Sequence, residues 1–283
     1  MVNDLEIRKA LEYAKRFRDK VFVIKFSGIV LVDQNVMDSL ISDLITLNYD
    51  AGIRIVVVHG GSDIISTIMD KFGLNPKFIN GLRVTDEETR YIVQAVLSDA
   101  NQKIVWNINK RGGKAVGLSG VSGNLFSARR IQPDLGFVGR VEKVDGELAR
   151  LFTQKGYIPV IYPMGSDEEG TLLNINADHC ASELACSLGA EKLILITNVR
   201  GILRNRDDES TLIPSLRLSE AKSILNESFI TAGMTPKIEA CIEAVERGGV
   251  KSSHIIGLKK HAILDEIFTE KGTGTMITRK NKF

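Results

Sequence analysis

Short apolar runs rich in β-branched residues recur along the chain, and they constrain its fold more than any other feature. The runs are nearly continuous rather than alternating, which is the pattern of strands buried on both faces of a parallel sheet. They are "VFVIKF", "IRIVVVHGG", "KAVGLSG", "YIPVIYPMG", "KLILITNV" and "SSHIIGL". Amphipathic segments such as "VMDSLISDLITLNYDAG" and "ITAGMTPKIEACIEAVERGG" alternate with them. The sequence therefore predicts a doubly wound α/β protein whose site lies at the carboxyl ends of the strands.

Two parts of the chain depart from this alternation. The segment from Val84 to Glu147 is less regular, and its "GLSGVSGNLFSARR" and "FVGRVEKVDGE" stretches predict hairpins that cover a pocket. Residues 1–20 predict a separate helix with a basic face and one apolar stripe. That stripe could dock on its own domain or pair with another subunit. Its residues are Ile7, Ala10, Leu11, Ala14 and Phe17.

Composition narrows the class of protein. The 283 residues suffice for one large α/β domain or two modest lobes. Charged residues make up 25% and the formal net charge is +2, so nothing favours binding to nucleic acid or to a membrane surface. No apolar run approaches the ~20 residues that span a bilayer, and the charged amino terminus is unlike a signal peptide. The cysteines form no CxxC pair, so reduced buried thiols in a cytoplasmic protein are expected at Cys180, Cys186 and Cys241.

Glycine clusters at the ends of several predicted strands, although the sequence has neither a Walker loop nor a GxGxxG motif. Glycine lets the backbone approach an anion and point its N–H groups at it, above all where a helix begins next. "VVVHGGSDIISTIMDKFG" has this form, with Gly60 and Gly61 before a helix that Ser62 or Asp63 could cap. One glycine pair is more often a tight turn, but five clusters together favour a phosphate-bearing ligand.

Two lysines sharpen this interpretation. Lys25 ends the first predicted strand, and Lys237 opens a helix after a glycine turn. The side chain of a lysine at a strand end often packs along the protein and only places its ammonium group in solvent. Two lysines in one crevice, however, would suit a transferring phosphoryl group. Asp178 precedes a predicted helix that it or Asn176 could cap, and a capping Asp178 could also hold both lysines in place.

These residues belong to a series of motifs that resembles the acetylglutamate kinases, a branch of the amino acid kinase family. The resemblance covers almost the whole chain, and "NGLRVT" together with "NINAD" is specific to that branch. The motifs are "IKFSG", "VHGG", "NGLRVT", "GLSG", "FVG", "IPVI", "NINAD", "GAEKLILIT", "GMTPK", "EIFT" and "GTGTMI". The resemblance implies an open, mostly parallel sheet sandwiched by helices in three layers. It also implies two lobes, with residues 21–175 binding an acyl amino acid and residues 176–283 binding ATP.

The resemblance also implies an activity and residue roles. The activity is ATP-dependent phosphorylation of the side-chain carboxylate of N-acetyl-L-glutamate, a step of arginine biosynthesis. Lys25 and Lys237 would stabilise charge on the phosphoryl group, and Asp178 would orient them. Mg²⁺ would be held mainly through the phosphates, with no dedicated protein ligands. Substrate would be bound by Gly60, Gly61, Arg83, Asn174 and Asn176, and the nucleotide by Gly28, Thr197, Asn198, Gly201, Gly233 and Met234.

The ends of the chain imply regulation. Arginine-inhibited members of the family carry an extra amino-terminal helix that links dimers into a hexameric ring, and residues 1–20 resemble it. Those members bind arginine near a glutamate and a glycine that correspond to Glu266 and Gly272 in "EIFTEKG". We therefore expect a homo-oligomer, dimer or hexamer, with arginine as a feedback inhibitor.

Several positions depart from the family pattern. A serine replaces a glycine at Ser27 and again at Ser62, Asn198 stands where aspartate is usual, and Ala232 replaces a glycine. Val121–Ser122 replaces a common Lys–Asp, and "HIIGLKKH" is one residue short. These departures keep two alternatives open. One is a kinase of the same fold for another acyl or carrier-linked amino acid, such as a 2-aminoadipate derivative; the other is a non-catalytic amino-acid sensor.

Overall fold

One eight-stranded sheet runs through the molecule. The computed structural model describes residues 12–247, 249–269 and 272–279. The strands of this sheet are β1 (Val21–Phe26), β2 (Arg54–His59), β5 (Ala115–Ser119), β8 (Ile158–Tyr162), β11 (Lys192–Thr197), β12 (Ser215–Arg217), β13 (Ser252–Gly257) and β14 (Thr275–Thr278). Their order across the sheet is β12-β14-β13-β11-β1-β2-β8-β5, and every neighbouring pair is parallel except β13 with β14.

Helices cover both faces of the sheet. Those on one face pack on a buried cluster that contains Val23, Val56 and Leu193, and those on the other pack on a cluster that contains Phe22, Ile24 and Ile55. The expected three-layer, mostly parallel architecture is thus confirmed. The helices are α1 (described over residues 12–17), α2 (Gln34–Ile45), α3 (Ser62–Lys71), α4 (Glu87–Lys110), α5 (Glu147–Gln154), α6 (Ala177–Leu188), α7 (Leu218–Ile224), α8 (Thr235–Glu246) and α9 (Ala262–Phe268).

Among the described residues, six further strands lie outside the main sheet. The expected hairpins are confirmed, because β6 (Phe126–Arg130) and β7 (Val138–Val144) pair antiparallel. They close a small barrel with β9 (Met164–Ser166) and β10 (Leu172–Ile175). A separate hairpin consists of β3 (Phe78–Ile79) and β4 (Leu82–Arg83).

The expectation of an irregular segment from residue 84 onward is wrong for its first part, which forms the 24-residue helix α4. Asp86 caps this helix by accepting a hydrogen bond from Thr89 N at 2.8 Å. Its buried face includes Val93, Leu97 and Ile104, at the spacing of a helical stripe. The signal was therefore present in the sequence.

The amino-terminal stripe is described only in part. Phe17 is 4% exposed and packs edge-on against Phe22, with 5.3 Å between ring centroids. Ala14 packs against the same cluster. This end of the stripe therefore docks on its own domain, while Ile7, Ala10 and Leu11 lie outside the described residues. Within the described part of the chain, no helix has both the length and the apolar character needed to cross a membrane.

Candidate active site

A cavity of ≈ 670 Å³ opens at the carboxyl ends of β1, β2 and β11. Helices α3, α6 and α8 begin at its wall, where Ser62, Asp178 and Lys237 line it from their first turns. The cavity brings together every catalytic, substrate and nucleotide residue expected from the sequence. They are Lys25, Gly28, Gly60, Gly61, Arg83, Asn174, Asn176, Asp178, Thr197, Asn198, Gly201, Gly233, Met234 and Lys237.

Asp178 joins two lysines at the wall of the cavity. Its Oδ1 lies 2.8 Å from Lys25 Nζ, and its Oδ2 lies 2.8 Å from Lys237 Nζ. Lys25 comes from the sheet and Lys237 from the first turn of α8, so the carboxylate links distant parts of the chain. Lys25 and Asp178 are 5% and 4% exposed. The expected lysine–aspartate–lysine arrangement is present.

Burial and charge act in opposite directions in this cluster: burial lowers the pKa of Lys25, and the charge of Asp178 offsets this only in part. Burial raises the pKa of Asp178, but the charges of Lys25 and Lys237 outweigh it and hold the pKa well below its usual range. Two ammonium groups share one carboxylate, so the cluster carries a net positive charge. That charge is available to an anion in the cavity.

Asp178 lies in the first turn of helix α6 but does not cap it. Asn176 is the N-cap, because its Oδ1 accepts hydrogen bonds from Asp178 N at 2.9 Å and His179 N at 3.1 Å. Asp178 therefore keeps both carboxylate oxygens for the lysines. Asn174 lies in β10, two residues before Asn176, and donates from Nδ2 to Thr85 Oγ1 at 3.0 Å.

The glycine turn after β2 meets the turn after β1. A Cβ at Gly28 would lie 3.2 Å from Gly61 Cα and equally close to Asp63 Oδ2, so a side chain there would crowd the turn. The two turns approach each other this closely only because Gly28 has none. Helix α3 begins directly behind them at Ser62.

Arg83 is held against α3 on the same side of the cavity. Its Nη2 donates to Ser62 O at 2.8 Å, to Ser62 Oγ at 3.2 Å and to Ser66 Oγ at 2.7 Å. Its Nη1 lies 3.2 Å from the sulfur of Met69, and its guanidinium stacks over Phe78 at 4.7 Å. The serine that replaces a family glycine at position 62 thus contacts the arginine expected to bind substrate.

The predicted nucleotide segment that begins at Thr197 continues from β11, which lies on the other side of β1 from β2. Thr197 ends β11 and donates from Oγ1 to Asn198 Oδ1 at 3.2 Å. Gly201 lies against Thr275, where a Cβ would come within 2.8 Å of Oγ1. Gly233 lies in open space, with nothing within 4 Å of the position of a Cβ.

Sequence reasoning missed several cavity residues. The sequence predicts Ser62 or Asp63 as the cap of α3, but the N-cap is Gly61 with no side-chain cap bond, and Asp63 in the first turn lines the cavity. It was detectable, since it follows the glycine pair directly. Arg206, Phe229 and Ile230 also line the cavity but lie in segments without a motif. Ser27 lines it too, and its buried Oγ has no hydrogen-bond partner among the described residues.

Glu266 and Gly272 lie away from this cavity, in contact with each other. Glu266 Oε1 lies 2.7 Å from His254 Nδ1, and its Oε2 accepts from Gly274 N at 3.1 Å and from Thr273 N. Burial raises the pKa of Glu266, but His254 and these backbone N–H groups outweigh it and lower the pKa to about 2. Gly272 has φ +62°, which favours glycine.

The model of the amino acid kinase family matches residues 20–257. The chain belongs to the amino acid kinase family. Within it, the chain is 46% identical over 285 residues to an acetylglutamate kinase of Methanococcus maripaludis and 45% identical over 285 residues to one of Heliobacterium modesticaldum. Both alignments cover 96% of each chain. The resemblance to acetylglutamate kinases is thus confirmed.

Solved structures agree with the fold. An N-acetylglutamate synthase of Neisseria gonorrhoeae, complexed with coenzyme A and N-acetyl-glutamate, matches with a TM-score of 0.87 and 26% identity. The match covers 100% of this chain but 65% of that one, so this chain spans about two thirds of the synthase. A carbamate kinase of Giardia lamblia bound to AMP-PNP matches with a TM-score of 0.68 and 17% identity over 93% of this chain and 99% of that one, which shows the fold alone.

Proposed function

We propose that this enzyme transfers the γ-phosphoryl group of ATP to the side-chain carboxylate of N-acetyl-L-glutamate. The observation that carries this proposal is the ionised cluster of Lys25, Asp178 and Lys237 at the wall of the cavity. The full-length similarity to acetylglutamate kinases supports the choice of substrate. The product is an acyl phosphate, formed on the way to arginine.

The chemistry requires positioning and positive charge. An oxygen of the substrate carboxylate attacks the γ-phosphorus, the bond from phosphorus to the β–γ bridging oxygen breaks, and ADP leaves. A glutamate side chain with a pKa of about 4.3 is already ionised at neutral pH, so the reaction needs no general base. Lys25 and Lys237 neutralise charge on the transferring group, while Asp178 keeps both ammonium groups in the cavity.

The part of the cavity near the glycine turn after β2 has groups that suit the acyl amino acid. Arg83 offers a guanidinium whose planar fork binds a carboxylate, and Asn174 offers an amide that binds the acetyl amide. Gly61 supplies a backbone N–H donor next to the start of α3, while Gly60 N is already bonded to Phe26 O at 2.9 Å. The nucleotide then lies between the segments 197–201 and 233–237.

Among the described residues, two carboxylates line the cavity and could bind Mg²⁺, those of Asp63 and Asp178. Asp178 has both oxygens bound by lysines, so it does not fit as a metal ligand. Phosphate oxygens of ATP would therefore hold most of the ion, with Asp63 as the other carboxylate that lines the cavity among the described residues. When bound, Mg²⁺ supplies further charge neutralisation to the phosphates.

Regulation and assembly extend the proposal. We propose arginine as a feedback inhibitor acting through Glu266 and Gly272, and a homohexamer linked by residues 1–20 in the cytoplasm. The Neisseria synthase, which was also solved with coenzyme A and L-arginine, supports an arginine effect by analogy. Arginine would have to compete with Thr273 N and Gly274 N for the Glu266 carboxylate.

Trapping the acyl phosphate tests the activity. Mg-ATP, hydroxylamine and one acceptor at a time are combined: N-acetylglutamate, free glutamate or N-acetyl-2-aminoadipate. We expect hydroxamate from N-acetylglutamate, and a loss of about 10²-fold or more in Lys25→Ala and Lys237→Ala. Lys103→Ala, which removes an exposed partner of Asp99, is the matched control and should keep full activity. Hydroxamate from the aminoadipate derivative alone, or from none of the acceptors, would contradict the proposal.

A further inference from the structure

A buried histidine lies directly behind the glycine turn of the cavity. His59 is the last residue of β2, is fully buried and does not line the cavity. Its Nδ1 lies 3.1 Å from Gly60 O, and its Nε2 lies 3.1 Å from Asn101 Nδ2. Asn101 Nδ2 also donates to Val160 O at 2.8 Å. The ring therefore connects α4 and β8 to the peptide that enters the turn.

The hydrogen-bond partners of the His59 ring determine which of its two nitrogens carries the hydrogen. Burial lowers the pKa of His59 to about 4, with the charge of Lys25 acting in the same direction, so the ring is neutral at physiological pH. A carbonyl oxygen can only accept, so Nδ1 must carry the hydrogen and donate it to Gly60 O. Nε2 is then a bare acceptor, and the amide of Asn101 donates to it. Each ring nitrogen is satisfied by this arrangement.

This hydrogen bond sets the direction of the next N–H group. The peptide between Gly60 and Gly61 is trans, so its C=O and N–H point in opposite directions. Its C=O is directed at the buried ring, and Gly60 N is itself bonded to Phe26 O at 2.9 Å. Gly61 N–H has no hydrogen-bond partner among the described residues, and Gly61 lines the cavity. A glycine pair without such a bond could rotate this peptide, since glycine tolerates many conformations.

We propose that His59 is a positioning residue: held by Asn101, it fixes the Gly60–Gly61 peptide so that Gly61 N–H points at the anion in the cavity. This inference rests on the proposed function, because that anion is the transferring phosphoryl group or the attacking carboxylate. The side chain of Asn101 can take this position only because residue 117 is a glycine, since any Cβ at Gly117 would collide with Asn101 Oδ1. The path runs from Gly117 through Asn101 and His59 to the turn.

Replacing His59 with Asn or with Gln tests the two ring nitrogens separately. The Nδ2 of His59→Asn can occupy the place of Nδ1 and still donate to Gly60 O. The longer side chain of His59→Gln puts its amide where Nε2 was, beside Asn101, and leaves Gly60 O without its donor. Both variants keep a buried polar group, so they differ mainly in the bond to the turn.

The expected result is a difference in kcat between these two variants. His59→Asn should keep kcat within about threefold of wild type. The kcat of His59→Gln should fall about 10- to 100-fold, because the Gly61 N–H would no longer be held toward the anion. KM for ATP should change less than kcat. Asn48→Ala is the matched control: it removes a side-chain bond to Ile53 O, just before the far end of β2, and should keep kcat unchanged. Equal kcat in the Asn and Gln variants would overturn the proposal.

A second readout does not depend on turnover. The chain has four histidines, so the ¹⁵N signals of the His59 ring can be assigned by their loss in His59→Asn. We expect a neutral ring protonated at Nδ1 that does not titrate between pH 6 and 9, a range above its pKa of about 4. A ring protonated at Nε2 would overturn the inference even if the enzyme were active. A wild-type enzyme without kinase activity but with this tautomer would contradict the proposed function and leave the hydrogen-bond network established.

Discussion

Replacing Asp178 with Asn would remove the negative charge between Lys25 and Lys237 without changing the shape of the side chain. The lysines would then repel each other in the cavity, and we expect kcat to fall about 10²-fold or more. The free energy of unfolding at pH 7 should fall by about 3–5 kcal/mol, because a buried ion pair loses one partner. Chemical unfolding and the hydroxamate assay measure the two effects separately.

The pH dependence of this loss has a defined sign. The lysines hold the pKa of Asp178 below its usual range, so its stabilising effect is present above about pH 4, the ordinary carboxyl pKa, and is lost as pH falls toward the lowered value. The difference in unfolding free energy between wild type and Asp178→Asn should therefore be largest at neutral pH and shrink below about pH 4. Asp99→Asn, on the exposed pair with Lys103, should cost less than about 1 kcal/mol. A wild-type kcat in Asp178→Asn would contradict the role of Asp178.

At the scale of elements, Glu266 ties α9 to β13 through His254 and to the entry of β14 through Thr273 N and Gly274 N. Its pKa of about 2 lies below its ordinary value of 4.5, so the stabilisation is present above pH 4.5 and is lost between pH 4.5 and about 2. Glu266→Gln should lower the free energy of unfolding by about 3 kcal/mol at pH 7 and by much less near pH 3. Urea unfolding at several pH values tests this, with Glu209→Gln on an exposed pair as the control. A cost that is independent of pH would show that the carboxylate charge is not involved.

Elements differ in how far the sequence alone predicts them. Buried strands such as β1, β2 and β11 were predictable, because each contains a continuous run of four apolar residues, which is typical of a strand buried on both faces of a parallel sheet. Helix α4 was missed although its stripe is regular, since its mean hydropathy is low and glycine-rich hairpins follow it. The barrel of β6, β7, β9 and β10 was not predictable, because its closure depends on pairings such as Asn174 with Val138.

The same limit applies to the residues of the site. Motifs placed Lys25, Asp178 and Lys237 together, because each lies at the end of a strand or the start of a helix. The contact between Ser62 and Arg83, 21 positions apart, depends on how the β3–β4 hairpin folds back on α3, and no local pattern encodes that. His59 was visible in "VHGG", but its function depends on Asn101, which lies on another element 42 positions away.

For the whole molecule, the amino-terminal stripe has two parts that a truncation can separate. Phe17 is buried on its own domain, so removing it would expose the core. Deleting residues 1–11 removes Ile7, Ala10 and Leu11 but leaves that packing in place. If these residues link dimers into the proposed hexamer, the truncated enzyme should show about one third of the full-length mass by light scattering, because interlaced rings dissociate into closed dimers.

Two measurements make the truncation informative. Kinase activity without arginine should be unchanged, since the described residues that line the cavity begin at Lys25, beyond the deleted segment. Sensitivity to arginine should fall if the ring favours the inhibited state, and a dose–response curve for both lengths of chain measures it. Phe17→Ala in the full-length chain is the counterpart, and it should lower the free energy of unfolding by about 3–5 kcal/mol. An unchanged mass after deletion would mean that the stripe does not link subunits, which would leave the docking of Phe17 as its structural role.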